Sequence, residues 1–375
     1  MSNQGEISKE ERIARLRLIR SDNIGIKTFY TLLKYYGSAV TTIKKISELP
    51  SLNLKTRKIT LVSEEDIQQE LERIEKLGAQ LLHYQDQDYP YLLKLTADPP
   101  PFLTILGKKE LLQRDTIAIV GSRNASTNGL NFTHKIATEL SQASLVVVSG
   151  LARGIDTAAH KSSLTNGTIA VIAGGIDNIY PPENENLFKE IAENGLIVAE
   201  NPYGATPTAK SFPQRNRIIS GLCMGTVIME ANLKSGSLIT ERFAAEQGRN
   251  VFAVPGFPLD YRYSGTNYLL KQGAILIEST EDILEHLKYN RSQQLDLLNT
   301  ETTDKDVPEE TCNVKQDIDQ IQNLILSSIG FSPTTIDDLM IRHNLSVDII
   351  QIAILELELA GKVIKGNNST VTLMS

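Results

Sequence analysis

A doubly wound α/β domain built on a parallel sheet, with a small domain on either side, is predicted by three features of this 375-residue sequence. Between Asp115 and about residue 287, short apolar runs alternate with amphipathic segments, which is the rhythm of strand–helix–strand crossovers. The length exceeds one ordinary domain, so two or three are expected. Charge also shifts along the chain: residues 1–58 carry twelve Lys or Arg against five Asp or Glu (+7), and residues 288–375 carry seven against thirteen (−6). The two ends therefore differ in kind from each other.

In chain order, residues 7–20 place Ile7, Ile13, Leu16, Leu18 and Ile19 at helical spacing with basic residues on the other faces. Gly25 lies in a short connector before a second apolar helix with Phe29, Leu32, Leu33 and Tyr36. A helix-hairpin-helix unit, whose turn offers N–H groups to a DNA phosphate, and a purely structural helical pair both fit this pattern. A third helix is expected over residues 64–77, with Ile67, Leu71, Ile74 and Leu77 on one stripe and Gly78 as its stop. Residues 83–108 are rich in Pro and Tyr. They read as an extended connector lying along the next domain, because Leu92, Leu93, Phe102, Leu103 and Leu106 require burial.

Seven runs then have the length and composition of strands buried on both faces: TIAIVG, LVVVSG, TIAVIAGG, LIVAE, GTVIMEA, NVFAVPG and AILIES. Amphipathic helices are expected between them. Residues 288–316 are polar and acidic and read as a linker. In residues 317–375, helical patterns near 318–328, 334–342 and 346–360 precede two strand candidates around GNNS, the outline of a winged helix. Its expected recognition helix carries Asp348, Glu356 and Glu358 and no base-reading Arg or Lys, which favours protein contact or a structural role. The expected domains are thus 1–80, 81–287 and 317–375, with 288–316 between the last two.

Several function classes are disfavoured. No apolar run is long enough to span a membrane and the first residues are polar, so a cytoplasmic protein with no membrane partner is expected. Cys223 and Cys312 lack zinc-site spacing, and His83, His134, His286 and His343 form no ligand set; no metal and no cofactor is expected. There is no G-x-G-x-x-G turn, no phosphate loop ending in Gly-Lys-Ser/Thr and no G-x-S-x-G elbow. Asp156 and His160 read as a packing or capping pair rather than partners of a nucleophilic Ser122.

Binding chemistry concentrates in Lys210-Ser-Phe-Pro-Gln-Arg-Asn-Arg217, within a stretch free of Asp and Glu between Glu200 and Glu230. Pro213 suggests the first turn of a helix, where free N–H groups and the macrodipole attract phosphate. In an open parallel sheet ligands gather beyond the carboxyl ends of the strands. There stand Gly121, Ser122 and Arg123, then Gly150 and Arg153, and then Lys234, Ser235, Gly236 and Ser237. Glu200 and Glu230 end strands on the same rim. They are expected to orient Arg215 or Arg217, with an acid/base pair as the alternative.

The runs VGSR, VVSGLARGIDTAAH, TIAVIAGGIDNIYPPEN, SFPQRNRIISGL, EANLKSGSLITERFAAEQGRNVFAVPG and GTNYLLKQGA resemble the DprA/Smf family across about residues 84–285. That resemblance implies an extended Rossmann-like domain that binds incoming single-stranded DNA, shields it and helps load RecA recombinase in natural transformation. It also implies a homodimer and no catalytic reaction. It places DNA contacts at Gly121, Ser122, Arg123, Phe212, Arg215, Asn216 and Arg217, with Lys210 beside them; the Lys234–Ser237 turn is expected on the same rim. Phe212 among cations supplies the stacking and phosphate contacts that a single strand needs. The alternative from another class is a nucleotide-processing enzyme of the nucleoside-monophosphate phosphoribohydrolase-like group. Its PGGxGTxxE motif is incomplete here, where the comparable places read PGFPLD and SGSLITERF.

Overall fold

A computed structural model describes residues 7–48, 59–288, 318–330, 333–343, 345, 347–359, 362–366 and 370–373. They fall into two compact units, one formed by residues up to Ile67 with those from 318 onward, the other by residues 68–288.

In the first unit, α1 (Lys9–Arg20) starts at Ser8, whose hydroxyl accepts from Glu11 N at 3.1 Å. The Glu11 carboxylate pairs with Arg15 and accepts from Ala39 N at 2.9 Å, so one side chain ties α1 to the start of a later helix. The stretch expected to give one helix after Gly25 gives two, α2 (Ile26–Tyr36) and α3 (Ala39–Glu48). Gly37 separates them with φ 79°, a left-handed conformation that closes α2. The helix expected third is therefore α4 (Glu64–Lys76), ended at Gly78.

The C-terminal module of this unit follows the winged-helix order: α13 (Ile318–Ser328), β10 (Thr334–Thr335), α14 (Ile336–His343), α15 (Val347–Leu359), β11 (Val363–Lys365) and β12 (Thr370–Leu373). Its sheet runs β10-β12-β11, and Ile325, Leu339, Ile350, Ala353, Leu357, Val363 and Val371 fill its core. Tyr36 Oη of α2 donates to Glu356 on α15 at 2.8 Å, and Gln322 donates to the same carboxylate at 2.5 Å. Burial, then Glu356, raises the Tyr36 pKa. The acidic helix of the winged module thus has a protein partner within the chain. The expected linker lies outside the described residues apart from Lys288, as does Cys312.

The second unit is organised by a nine-stranded sheet in the order β1-β2-β6-β5-β4-β3-β7-β8-β9. Its strands are β1 (Gln80–His83), β2 (Phe102–Gly107), β3 (Thr116–Val120), β4 (Val146–Ser149), β5 (Thr168–Ile172), β6 (Leu196–Ala199), β7 (Gly225–Ile228), β8 (Asn250–Ala253) and β9 (Ile275–Leu276). All seven expected strands form, β3 to β9, and they pair in parallel. Residues 83–108 are more than a connector. Phe102–Gly107 pairs antiparallel with β6 and with β1, burying Phe102, Leu103 and Ile105. An unpaired β6 would otherwise expose a row of backbone donors and acceptors.

Helices α6 (Thr127–Gln142), α7 (Ile155–Ser163), α8 (Glu185–Asn194), α9 (Ser211–Leu222), α10 (Ser237–Glu246), α11 (Ser264–Lys271) and α12 (residues 280–288) cover the sheet, with the short α5 (Tyr91–Lys94) beside α9. Alternation along β3 shows how both faces are buried. Ile117 and Ile119 pack with Ile136, Ala137 and Leu140 of α6, while Ala118 and Val120 pack with Ile218, Ile219 and Leu222 of α9. The chain leaves β3 towards β4 on one side and returns to β7 on the other. The carboxyl ends of β3 and β7 therefore flank a switch point, where crossover helices diverge and leave a crevice.

Candidate nucleic-acid interface

A cleft of about 690 Å³ opens at this switch point. Gly121, Ser122 and Arg123 follow β3; Phe212, Arg215 and Asn216 come from the first turns of α9; Lys234, Ser235, Gly236 and Ser237 lead into α10. Local chemistry fixes each wall. Ser122 N donates to Glu230 O at 2.7 Å and Ile155 N donates to Ser122 O at 3.2 Å, so the turn after β3 is tied to β7 and α7. A side chain at Gly121 would place its Cβ 2.7 Å from Ile155 Cγ1, which explains the bare backbone there. Asn216 accepts from Arg215 Nε at 3.1 Å and donates to Gly236 O at 3.4 Å, joining α9 to the turn before α10. The amino ends of α9 and α10 thus face one crevice with the positive ends of their dipoles.

Phe212 lies in the groove rather than the core. It is half-buried, and the Arg123 guanidinium stands 5.4 Å from its ring centroid. Arg123 and Lys234 are exposed, and among the described residues neither enters an ion pair. The cleft therefore presents free positive charge, an aromatic face and two helix amino ends together. The family described as DNA recombination-mediator protein A matches residues 80–288.

The chain belongs to that family. Two further matches frame it, a DprA-like N-terminal HHH domain over residues 9–72 and a DprA winged helix domain over residues 310–365. The DNA processing protein DprA of Streptococcus pneumoniae is 44% identical over 206 residues, covering 54% of this chain and 73% of that protein. The X-ray structure of the pneumococcal protein superposes with a TM-score of 0.63 at 31% identity, over 75% of this chain and 98% of that one. A Helicobacter pylori DprA structure, described by its single-stranded DNA binding mode, has a TM-score of 0.52 at 32% identity, covering 56% and 96%.

Within this family scaffold the two arginines of the basic stretch are not surface charges. Arg215 is 7% exposed; its Nη1 donates to Gly150 O at 2.6 Å and to Val171 O. Burial lowers its pKa to about 10, partly offset by the charge of Asp156. It forms the floor of the cleft. Arg217 does not reach the cleft at all. It is 6% exposed and donates to Asp98 O at 2.8 Å and to the Glu200 carboxylate. Lys210 is exposed at the amino end of α9, next to the cleft-lining Ala209 but not itself on the wall.

The two glutamates divide. Glu200 orients Arg217 as expected, whereas Glu230 bonds to neither Arg215 nor Arg217: it accepts from Ser126 N at 3.1 Å and from Ser126 Oγ at 2.6 Å, holding the start of α6, and its charge acts on Arg262. Their oxygens are engaged in these structural contacts. Asp156 accepts from Gly150 N at 3.1 Å and Ala152 N at 3.3 Å, and burial raises its pKa. His160 Nδ1 is 2.8 Å from Thr168 Oγ1, and burial, then Arg215, lowers its pKa to about 3. Ser122 Oγ accepts from Asn124 N at 3.2 Å and bonds to neither of them, so no nucleophile triad is assembled.

Among the lining residues that the sequence did not single out are Tyr261 and Arg262, from the loop after β8. The loop exposes Phe257, Leu259 and Tyr261, with Tyr261 at 72%. Its only sequence signal is a density of large apolar residues in a segment with no helical or strand period. No helix among the described residues is long and apolar enough to cross a membrane.

Proposed function

We propose that this protein is a cytoplasmic recombination mediator that holds incoming single-stranded DNA in the β3/β7 cleft, shields it and delivers it to RecA recombinase in natural transformation. It acts as a homodimer and catalyses no reaction of its own. One observation carries this reading: free cations, two helix amino ends and the Phe212 ring converge on a single crevice. Phosphates need the first two and bases the third, and such a surface has few groups to read base edges. The Helicobacter pylori relative described by its single-stranded DNA binding supports the same ligand.

The decisive measurement is fluorescence anisotropy with labelled single-stranded and duplex oligonucleotides. Wild-type protein is expected to prefer the single strand. Phe212→Ala should weaken binding by about 5- to 150-fold, the worth of one stacked base. Arg123→Ala should cost roughly tenfold or more, as expected for a charge-assisted hydrogen bond. Both variants binding as tightly as wild type would reject the cleft as the DNA site.

A further inference from the structure

The motif TIAVIAGGIDNIYPPEN contains a residue that the cleft does not use. Tyr180, in the loop after β5, is 45% exposed, and its ring centroid stands 5.5 Å from that of Phe212 with the planes inclined by 55°. Across Phe212 from the main cleft it helps to wall a second cavity of about 220 Å³. Arg123 and Phe212 belong to both cavities, and Arg215 floors both. The outer wall is Arg153, paired at 2.5 Å with Glu183 on the surface, where both side chains are more than half exposed.

The geometry points to Tyr180 as a second stacking platform for a base of the bound single strand. This rests on the reading of the main cleft as the DNA site. A strand leaving the cleft passes over Phe212, with Arg123 positioned between the two cavities to take the linking phosphate. Arg153 then takes the next one. An exposed ion pair contributes little to stability, so its release from Glu183 costs little. The 5.5 Å spacing decides where the base goes. Contacts are optimal at about 3.5–4.0 Å, so a base inserted between two rings needs roughly twice that distance. The base therefore lies on the open side of Tyr180 rather than between Tyr180 and Phe212. Nothing in a ring face selects one base over another, and the subsite should accept any sequence.

The sequence contains no Trp, so Tyr180→Trp introduces a single indole as a reporter. Titration of this variant with oligo-dT of about ten nucleotides should quench its emission as a base stacks, while affinity stays within about twofold of wild type. Tyr180→Ala should lose about 5- to 150-fold in anisotropy titrations with the same oligonucleotide, and Tyr180→Phe should retain wild-type affinity. With a dinucleotide, too short to reach beyond Phe212, Tyr180→Ala and wild type should bind alike. If wild type binds the long oligonucleotide but Tyr180→Ala binds it equally well and the indole emission of Tyr180→Trp stays flat, the second platform is overturned while the cleft stands. If wild type binds no single strand, the reading of the cleft itself falls, and this subsite with it.

Discussion

His160 shows what a single buried side chain does to this protein's response to acid. It is fully buried, with Nδ1 held by Thr168 and Nε2 without a hydrogen-bond partner among the described residues. Its folded pKa of about 3 lies below the ordinary 6.5, so the unfolded chain takes up a proton in a window where the folded chain does not. The stability from keeping the ring neutral is complete above about pH 6.5 and is lost as pH falls through the window towards about 3, by up to about 1.4 kcal/mol per pH unit. Asp156 works in the opposite direction. Its raised pKa means that stability declines as pH rises above its unfolded value. Urea denaturation of wild type and His160→Gln at pH 7.5, 6.5 and 5.5 separates the two, since the aspartate contribution is common to both proteins. The wild-type midpoint should fall more steeply with acid than that of the variant. Parallel curves would mean that His160 is charged in the folded state.

At the scale of elements, α9 is the part that turns a sheet into a binding site, and Arg215 is what fastens it. Its guanidinium joins α9 to the backbone ends of β4 and β5 at Gly150 and Val171, above the buried Asp156. A Cβ on Gly150 would fall 2.6 Å from Arg215 Nη1, so the glycine makes room for this contact. Arg215→Ala leaves two carbonyls without that donor and a buried carboxyl group without its counter-charge; it should cost about 3–5 kcal/mol in urea denaturation. The exposed Arg123→Ala should stay within about 0.5 kcal/mol of wild type. Equal stability of Arg215→Ala would free that residue for a ligand-only role. The seven parallel strands were legible because apolar runs bounded by glycines have few other uses, and the rim was legible because ligands gather at strand ends. The division of labour within α9 escaped the sequence expectation, which placed Arg215 and Arg217 together on the DNA. Residues two apart on a helix of 3.6 residues per turn face nearly opposite ways, so Arg215 and Arg217 could not share one partner. What no local pattern announced is long-range: Glu230 meeting Ser126, β2 pairing with β6 from a Pro-rich stretch, and the loop that brings Tyr261 to the cleft.

At the scale of the whole molecule, the net charge of −7 opposes binding to a polyanion, and only the placement of a few cations overcomes it. The buried and paired Arg215 and Arg217 are committed to the fold. Among the described residues, the exposed cations at or beside the cleft that enter no ion pair are Arg123, Lys210 and Lys234, whereas Arg153 already has Glu183 as its counter-charge and exchanges one anion for another. Each phosphate neutralised on a single strand contributes about −0.7 to the slope of log affinity against log salt. Three such contacts give a slope near −2 for wild type, and Arg123→Ala should bring it to about −1.4. The same measurement tests the basic N-terminal residues, which carry +7 over residues 1–58. If those helices also held phosphates, the wild-type slope would steepen to roughly −4 or beyond, and Arg123→Ala would change it by a minor fraction. A slope near −2 that flattens in Arg123→Ala therefore localises the electrostatic contact to the β3/β7 cleft. A slope unchanged by that substitution would remove Arg123 from the phosphate path.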